Sequence, residues 1–115
     1  MSEATPVNVT AFQPFEGGIG KRLAVSTTSA RVAIPGTQAV SSPDRLRILV
    51  TNNNPFAVSI LMGQDSVTAT KDCQEIMPGT QVLLTPPVVA PDAVWIAVIC
   101  ESGTGHIQVT SGYGT

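Results

Sequence analysis

From Leu23 onward the apolar residues of this chain recur at every second position. Leu23 and Val25 share one parity. So do Val32 and Ile34; Leu46, Ile48 and Val50; Val58, Ile60 and Met62; Val82 and Leu84; Val94, Ile96, Val98 and Cys100; and Ile107 and Val109. Period 2 puts these side chains on one face of an extended strand, whereas a helix needs them three or four apart. Val and Thr, which suit a pleated surface, are common in the chain, and the helix formers Leu, Glu and Lys are scarce. Residues 67–70 and 73–77 are two weaker strand candidates. A helical turn has one place to form, residues 64–77, and the Val67-Thr68-Ala69-Thr70 run inside it argues against one.

Turn chemistry falls between the alternating runs. Pro35-Gly36 and Pro78-Gly79 each join a residue of fixed φ to one that accepts positive φ, as a type II turn requires. Ser102-Gly103-Thr104-Gly105 reads as a hairpin loop. Asn52-Asn53-Asn54-Pro55 divides the two most apolar stretches, RLRILV and FAVSILMG. Asn tolerates the left-handed region, and Pro55 cannot donate to a ladder. Pro86-Pro87 breaks the chain again before a loop that runs to Pro91. Short strands with turn signals at a spacing of about 8–12 residues predict a sandwich or barrel. The count of about eight fits an all-β, jelly-roll-like antiparallel β-sandwich best.

Residues 1–22 read differently. They hold two prolines, three glycines and two of the three phenylalanines, with no sustained period. They predict an extended N-terminal arm ahead of a β-sandwich domain over residues 23–115. Phe12 and Phe15 are the arm's large anchors, and Gly17-Gly18-Ile19-Gly20 is its hinge. Two strands, residues 45–51 and 94–101, carry apolar side chains on both parities, although a two-layer sandwich leaves one face of each sheet wet. Leu49, Trp95 and Ile99 fall on the outer parity, where apolar patches mark an interface. Either a partner or the chain's own arm covers them. Phe12, Phe15, Leu49, Trp95 and Ile99 are therefore the candidate interface residues.

Composition narrows the function. The 115 residues make one domain. Charged residues are 12% of the chain, against about 25% in an average protein, and the net charge is −2. The closest basic pairs, Lys21/Arg22 and Arg45/Arg47, form no cluster of the kind phosphate binding needs, so nucleic acid is not an expected partner. The run AVWIAVIC is far short of the roughly 20 residues of a spanning helix, so no membrane partner is expected. The opening MSEATPVNVT has an acid and no apolar core and does not read as a secretory signal, which points to a cytosolic site of assembly. On that reading the sequon Asn8-Val9-Thr10 goes unused, and Cys73 and Cys100 are buried free thiols.

Each catalytic arrangement fails on count or context. His106 is the one histidine, and with Cys73, Cys100, Met62 and Met77 it supplies too few ligands for a copper or cupin-like centre, so no metal or cofactor is expected. No G-x-S-x-G elbow occurs, and the acids Asp44, Asp65, Asp72, Glu75 and Asp92 sit at turns. Gly17 to Lys21 looks like part of a phosphate-binding loop, but Phe15 stands where its first glycine belongs and Arg22 where its Ser or Thr belongs. The chain reads as a protein that presents surfaces, not as an enzyme.

Several segments taken in order carry a resemblance. They are Arg31-Val32-Ala33-Ile34-Pro35, the run from Arg45 to Asn52, Val58-Ser59-Ile60 with Gly63, Val67-Thr68-Ala69-Thr70, and Ile76-Met77-Pro78-Gly79-Thr80. This order resembles the small capsid decoration, or cement, proteins of tailed bacteriophages over roughly residues 23–110. The match lies in strand, turn and glycine positions; residues 1–22 fall outside it. The resemblance implies a structural virion protein that binds the outside of a phage capsid shell and stabilises it. It implies the major capsid protein as partner, a homo-oligomer (trimer or dimer), and assembly on the capsid surface in a bacterial cytoplasm. Two alternatives stand beside it: another virion component, such as a head–tail connector or fibre-base domain, and a carbohydrate- or ligand-binding β-sandwich. The last needs exposed aromatic rings, and Trp95 lies in the strand expected to be central.

Overall fold

The computed structural model describes residues 12–15, 20–38, 43–87 and 92–114. Nine strands run through them: β1 (Gln13–Pro14), β2 (Gly20–Val25), β3 (Ala30–Ala33), β4 (Leu46–Asn52), β5 (Val58–Gly63), β6 (Gln74–Ile76), β7 (Thr80–Leu84), β8 (Trp95–Ile99) and β9 (Gly105–Tyr113). Both sheets are antiparallel. One has the order β2-β9-β4-β7, with β1 lying end to end with β2 on the same edge of β9; the other has the order β3-β8-β5-β6.

The connectivity follows one rule. Each strand pairs with its mirror image in the β2–β9 series: β2 with β9, β3 with β8, β4 with β7, and β5 with β6. The chain is thus one long antiparallel ribbon folded at the β5–β6 end. Wrapping the ribbon brings β4 beside β9 and β5 beside β8, which closes the two sheets over one another. This is the winding of a jelly roll, as the spacing of strands and turns predicts.

Alternation explains which side chains meet. Leu46, Ile48 and Val50 of β4 and Ile107 and Val109 of β9 face Val58 and Ile60 of β5 and Ile96 and Val98 of β8 across the sandwich, all buried. Removing each such side chain from water contributes about 1.5–3 kcal/mol. Gly36 (φ 79°) and Gly79 (φ 69°) take the positive φ that the third position of a type II turn demands, as their Pro-Gly pairs predict.

Five details depart from the expectations. The run Ser102-Gly103-Thr104-Gly105 is no hairpin loop, because it carries the chain from β8 in one sheet to β9 in the other. Strand β2 begins at Gly20, so the sheet takes in the last three residues of the predicted arm. Lys21 and Arg22 are exposed and carry no apolar period, which is why the ladder to Val109 and Gln108 leaves no mark on the sequence. Residues 67–70 form no strand; they belong to a loop whose turns are closed by Val67 N–H to Gln64 C=O (3.0 Å) and Cys73 N–H to Thr70 C=O (3.1 Å). A 3-10 turn at Pro43–Arg45 precedes β4. Finally, both cysteines are free, but only Cys100 is buried. Cys73 is half-buried, its sulfur 3.3 Å from the Thr70 N–H.

The Asn-rich turn is tied into β9 by a side chain that imitates a strand. Asn54 Nδ2 donates to His106 C=O (2.7 Å), and Asn54 Oδ1 accepts from His106 N–H (3.2 Å), which extends the β4–β9 ladder past Asn52. Gly105 makes room for it: a β-carbon there would collide with the Asn54 side-chain oxygen and press on the Phe56 ring. Gly105→Ala is therefore expected to lower stability by about 1–2 kcal/mol, through the lost pair of hydrogen bonds and a displaced Phe56. Urea unfolding measures this, and a change below about 0.5 kcal/mol would show that the ladder extension is not stabilising.

Candidate functional site

The five residues nominated as an interface do not form one surface. Leu49 lies on the outer face of the five-stranded sheet, between Leu83 of β7 and Thr110 of β9. Trp95 and Ile99 lie on the outer face of the other sheet, on the opposite side of the molecule. Phe12 is half-buried ahead of β1. Phe15 packs into its own domain: its N–H donates to Ser111 C=O (3.2 Å), its ring meets Tyr113 edge-on at 4.9 Å, and it lies over Gly36. The Arg45 guanidinium stacks on the Tyr113 ring at 5.2 Å, and Ser111 Oγ donates to Pro35 C=O, so one end of the sandwich is closed around Phe15. Residues 1–11 and the Gly17-Gly18-Ile19 part of the hinge lie outside the described residues.

Around Ile99 the outer face of the four-stranded sheet is covered by the chain itself, through the loop of residues 64–73, while Leu61 on the same face stays 43% exposed. Ser59 of β5 is the partner of Ile99, and Ser29, one residue ahead of Ala30, stands on the other side of it. Ala69 N–H donates to Ser29 Oγ (2.9 Å), and Ser59 Oγ donates to Lys71 C=O (3.5 Å). The loop is pinned on both flanks of Ile99. Ala97, on the outward parity of β8, is accordingly 0% exposed, and Ala69 is 3% exposed. The sequence offered the arm or a partner as the cover. The β5–β6 loop takes that place because it is the ribbon's tip and folds back on the sheet it leaves.

Trp95 escapes this cover in part. Its register partners are Ala33 on β3 and Gly63 on β5, the smallest neighbours on the face. Val67 fills the space above Gly63. The half-buried indole then lines an open cleft with Gln64 and Asp65 from one side and Asp92 and Ala93 from the other.

The outer face of the five-stranded sheet is different in kind. Two of its cross-strand rows are Arg22, Gln108, Thr51 and Gln81, then Gly20, Thr110, Leu49 and Leu83; Arg47 with Gly112 and Ala24 with His106 flank them. Gln81 Nε2 donates to Thr51 Oγ1 (3.0 Å), and Gly20 lets the Gln108 and Thr110 side chains lie close to the sheet. The face has a central Leu49–Leu83 pair with neutral hydrogen-bonding groups around it, and the basic side chains of Arg22 and Arg47 lie on the same parity. Among the described residues, no loop crosses it as residues 64–73 cross the other sheet. Period 2 marked Leu49 as outward, but Gln81, Leu83, Thr110 and Gln108 join the surface only through register.

Among the described residues no group of three or more His, Cys, Asp or Glu could hold a metal ion. His106 is exposed on β9 and contributes its backbone to the Asn54 bridge. Comparison with protein-family models, with characterised proteins and with solved structures finds no match for this chain.

Proposed function

We propose that the chain is a structural virion protein that binds the outside of a phage capsid shell and stabilises it, with the major capsid protein as its partner. The observation that carries this reading is the outer face of the five-stranded sheet, which no loop crosses among the described residues. A surface of Gln, Thr and paired Leu side chains with Arg22 at one edge suits contact with another protein: it has an apolar centre, and its neutral polar groups can exchange hydrogen bonds with a partner. The resemblance of the strand and turn pattern to decoration proteins supports it further. A protein that binds the assembled shell and not free subunits favours assembly by mass action. Several copies held together as a homo-oligomer would turn weak single contacts into firm attachment.

The test is the copy number in purified particles of the phage that encodes the chain, measured by quantitative mass spectrometry against the shell protein. Decoration gives a ratio of the same order as the shell subunit. A handful of copies moves the protein to the neck or a fibre base, and absence ends the virion reading. The docking face is tested in the same particles by Gln81→Glu, which sets a charge on the exposed side of β7, where Thr51 and not a basic residue stands beside it. Burying that charge unpaired is expected to weaken attachment about tenfold or more.

A further inference from the structure

The Trp95 cleft has the chemistry of a small-ligand site. Its space of about 360 Å³ lies within the range of such sites. Both walls are held firmly. On one side Gln64 and Asp65 follow β5 in the turn closed by Val67 N–H to Gln64 C=O at 3.0 Å. On the other, Asp92 and Ala93 lead into Val94, whose N–H is held by the buried Thr37 Oγ1 at 2.8 Å and whose C=O accepts from Ile34 N–H at 2.8 Å. Among the described residues, the side chains of Gln64, Asp65, Asp92 and Trp95 make no hydrogen bond or ion pair. A half-buried indole N–H ordinarily finds a partner.

We propose that this cleft binds a pyranose ring of a glycan. The apolar C–H face of a sugar stacks on an indole, and each hydroxyl both donates and accepts. Two carboxylates can take the donated bonds, while the Gln64 amide and the indole N–H supply donors. Other ligands use less of the set. A small anion is repelled by Asp65 and Asp92. A calcium ion would use the carboxylates and the amide oxygen but leave the indole face and its N–H idle. An alkylammonium would use the ring and the carboxylates but leave both donors idle. The central position of β8 is no obstacle, because Trp95 points away from the core and its neighbours Ala33 and Gly63 leave the ring accessible. The inference goes beyond the capsid reading and is tested on the isolated protein, so either can fail without the other.

Trp95 is the only tryptophan of the chain, so its fluorescence reports on the cleft alone. The protein is titrated with glucose, galactose, mannose, N-acetylglucosamine and rhamnose, and separately with choline, to about 100 mM, above the millimolar Kd expected of a single ring. The expected result is a saturable change with at least one sugar, weakened about tenfold or more in Asp65→Asn and Asp92→Asn, both exposed positions, with unchanged melting temperatures. A response to choline alone overturns the proposal in favour of an ammonium site. No response to any probe, or a sugar response that both variants retain in full, overturns it as well.

Discussion

Replacing Asn52 with Asp is expected to lower stability by about 3 kcal/mol. Asn52 is 0% exposed at the end of β4. Its Nδ2 donates to Phe56 C=O (2.9 Å), Ile76 C=O (3.0 Å) and Met77 C=O (3.2 Å), three carbonyls sharing two hydrogens. Its Oδ1 accepts from the Asn54 backbone N–H (3.1 Å) and from Asn54 Nδ2 (2.8 Å). One amide therefore joins β4, the turn that follows it, and the β6–β7 turn of the partner sheet. Aspartate has the same shape and no donor. It would face three carbonyl oxygens with a charge, and each carbonyl would lose a buried partner. The melting temperature should fall by roughly 10–15 °C, and urea unfolding should give the matching loss in free energy. A change below about 1 kcal/mol would mean that water satisfies these carbonyls and that the amide is not the joint described.

Thr37→Val is the second change with a large expected effect. Thr37 is 2% exposed, donates to Ile34 C=O (2.7 Å) and accepts from Val94 N–H (2.8 Å). Its hydroxyl bridges the chain leaving β3 and the chain approaching β8, just beyond the last rung of their ladder. Valine fills the same volume but strands one buried donor and one buried acceptor, an expected loss of about 2–3 kcal/mol. Thr37→Ser keeps the hydroxyl and should cost about 1 kcal/mol, mainly for the lost methyl group. If valine and serine behave alike in thermal melts, the bridge contributes nothing beyond packing.

Period 2 says whether a side chain points in or out, and at β4, β8 and β9 that reading is what the structure shows. It does not say which of two sheets a strand joins. Leu49 and Trp95 looked alike in the sequence, both outward on strands with two apolar faces, yet they lie on opposite sides of the sandwich. Only the mirror pairing of strands separates them, and that depends on residues far apart in the chain. Asn52 was legible in part. The sequence marks it as a turn former, but it continues the inward parity of Leu46, Ile48 and Val50, and a buried amide at that position must be bonded. The cover over Ile99 left the weakest trace. Ser29, Ser59 and Ala69 are ordinary residues, and they become a clasp only once the β5–β6 loop folds back.

The mirror pairing also fixes the order in which the molecule can be completed. β5 and β6 meet soon after they are made, since Ile60 pairs with Gln74. β2 must wait for β9, because Gly20 pairs with Thr110. Yet β9 is an inner strand of its sheet, with β4 on one side and β1 and β2 on the other. At about 5–20 residues per second, a ribosome holds this chain for several seconds while its first strands have no neighbour. During that interval Leu23, Val25, Leu46, Ile48 and Val50 are open to any chaperone, or to a second nascent chain with the same unfilled place. Pairings this distant in sequence also close slowly, on the millisecond-to-second scale of β-sandwiches. A newly made copy is thus exposed to mispairing until β9 slides into the middle of the sheet.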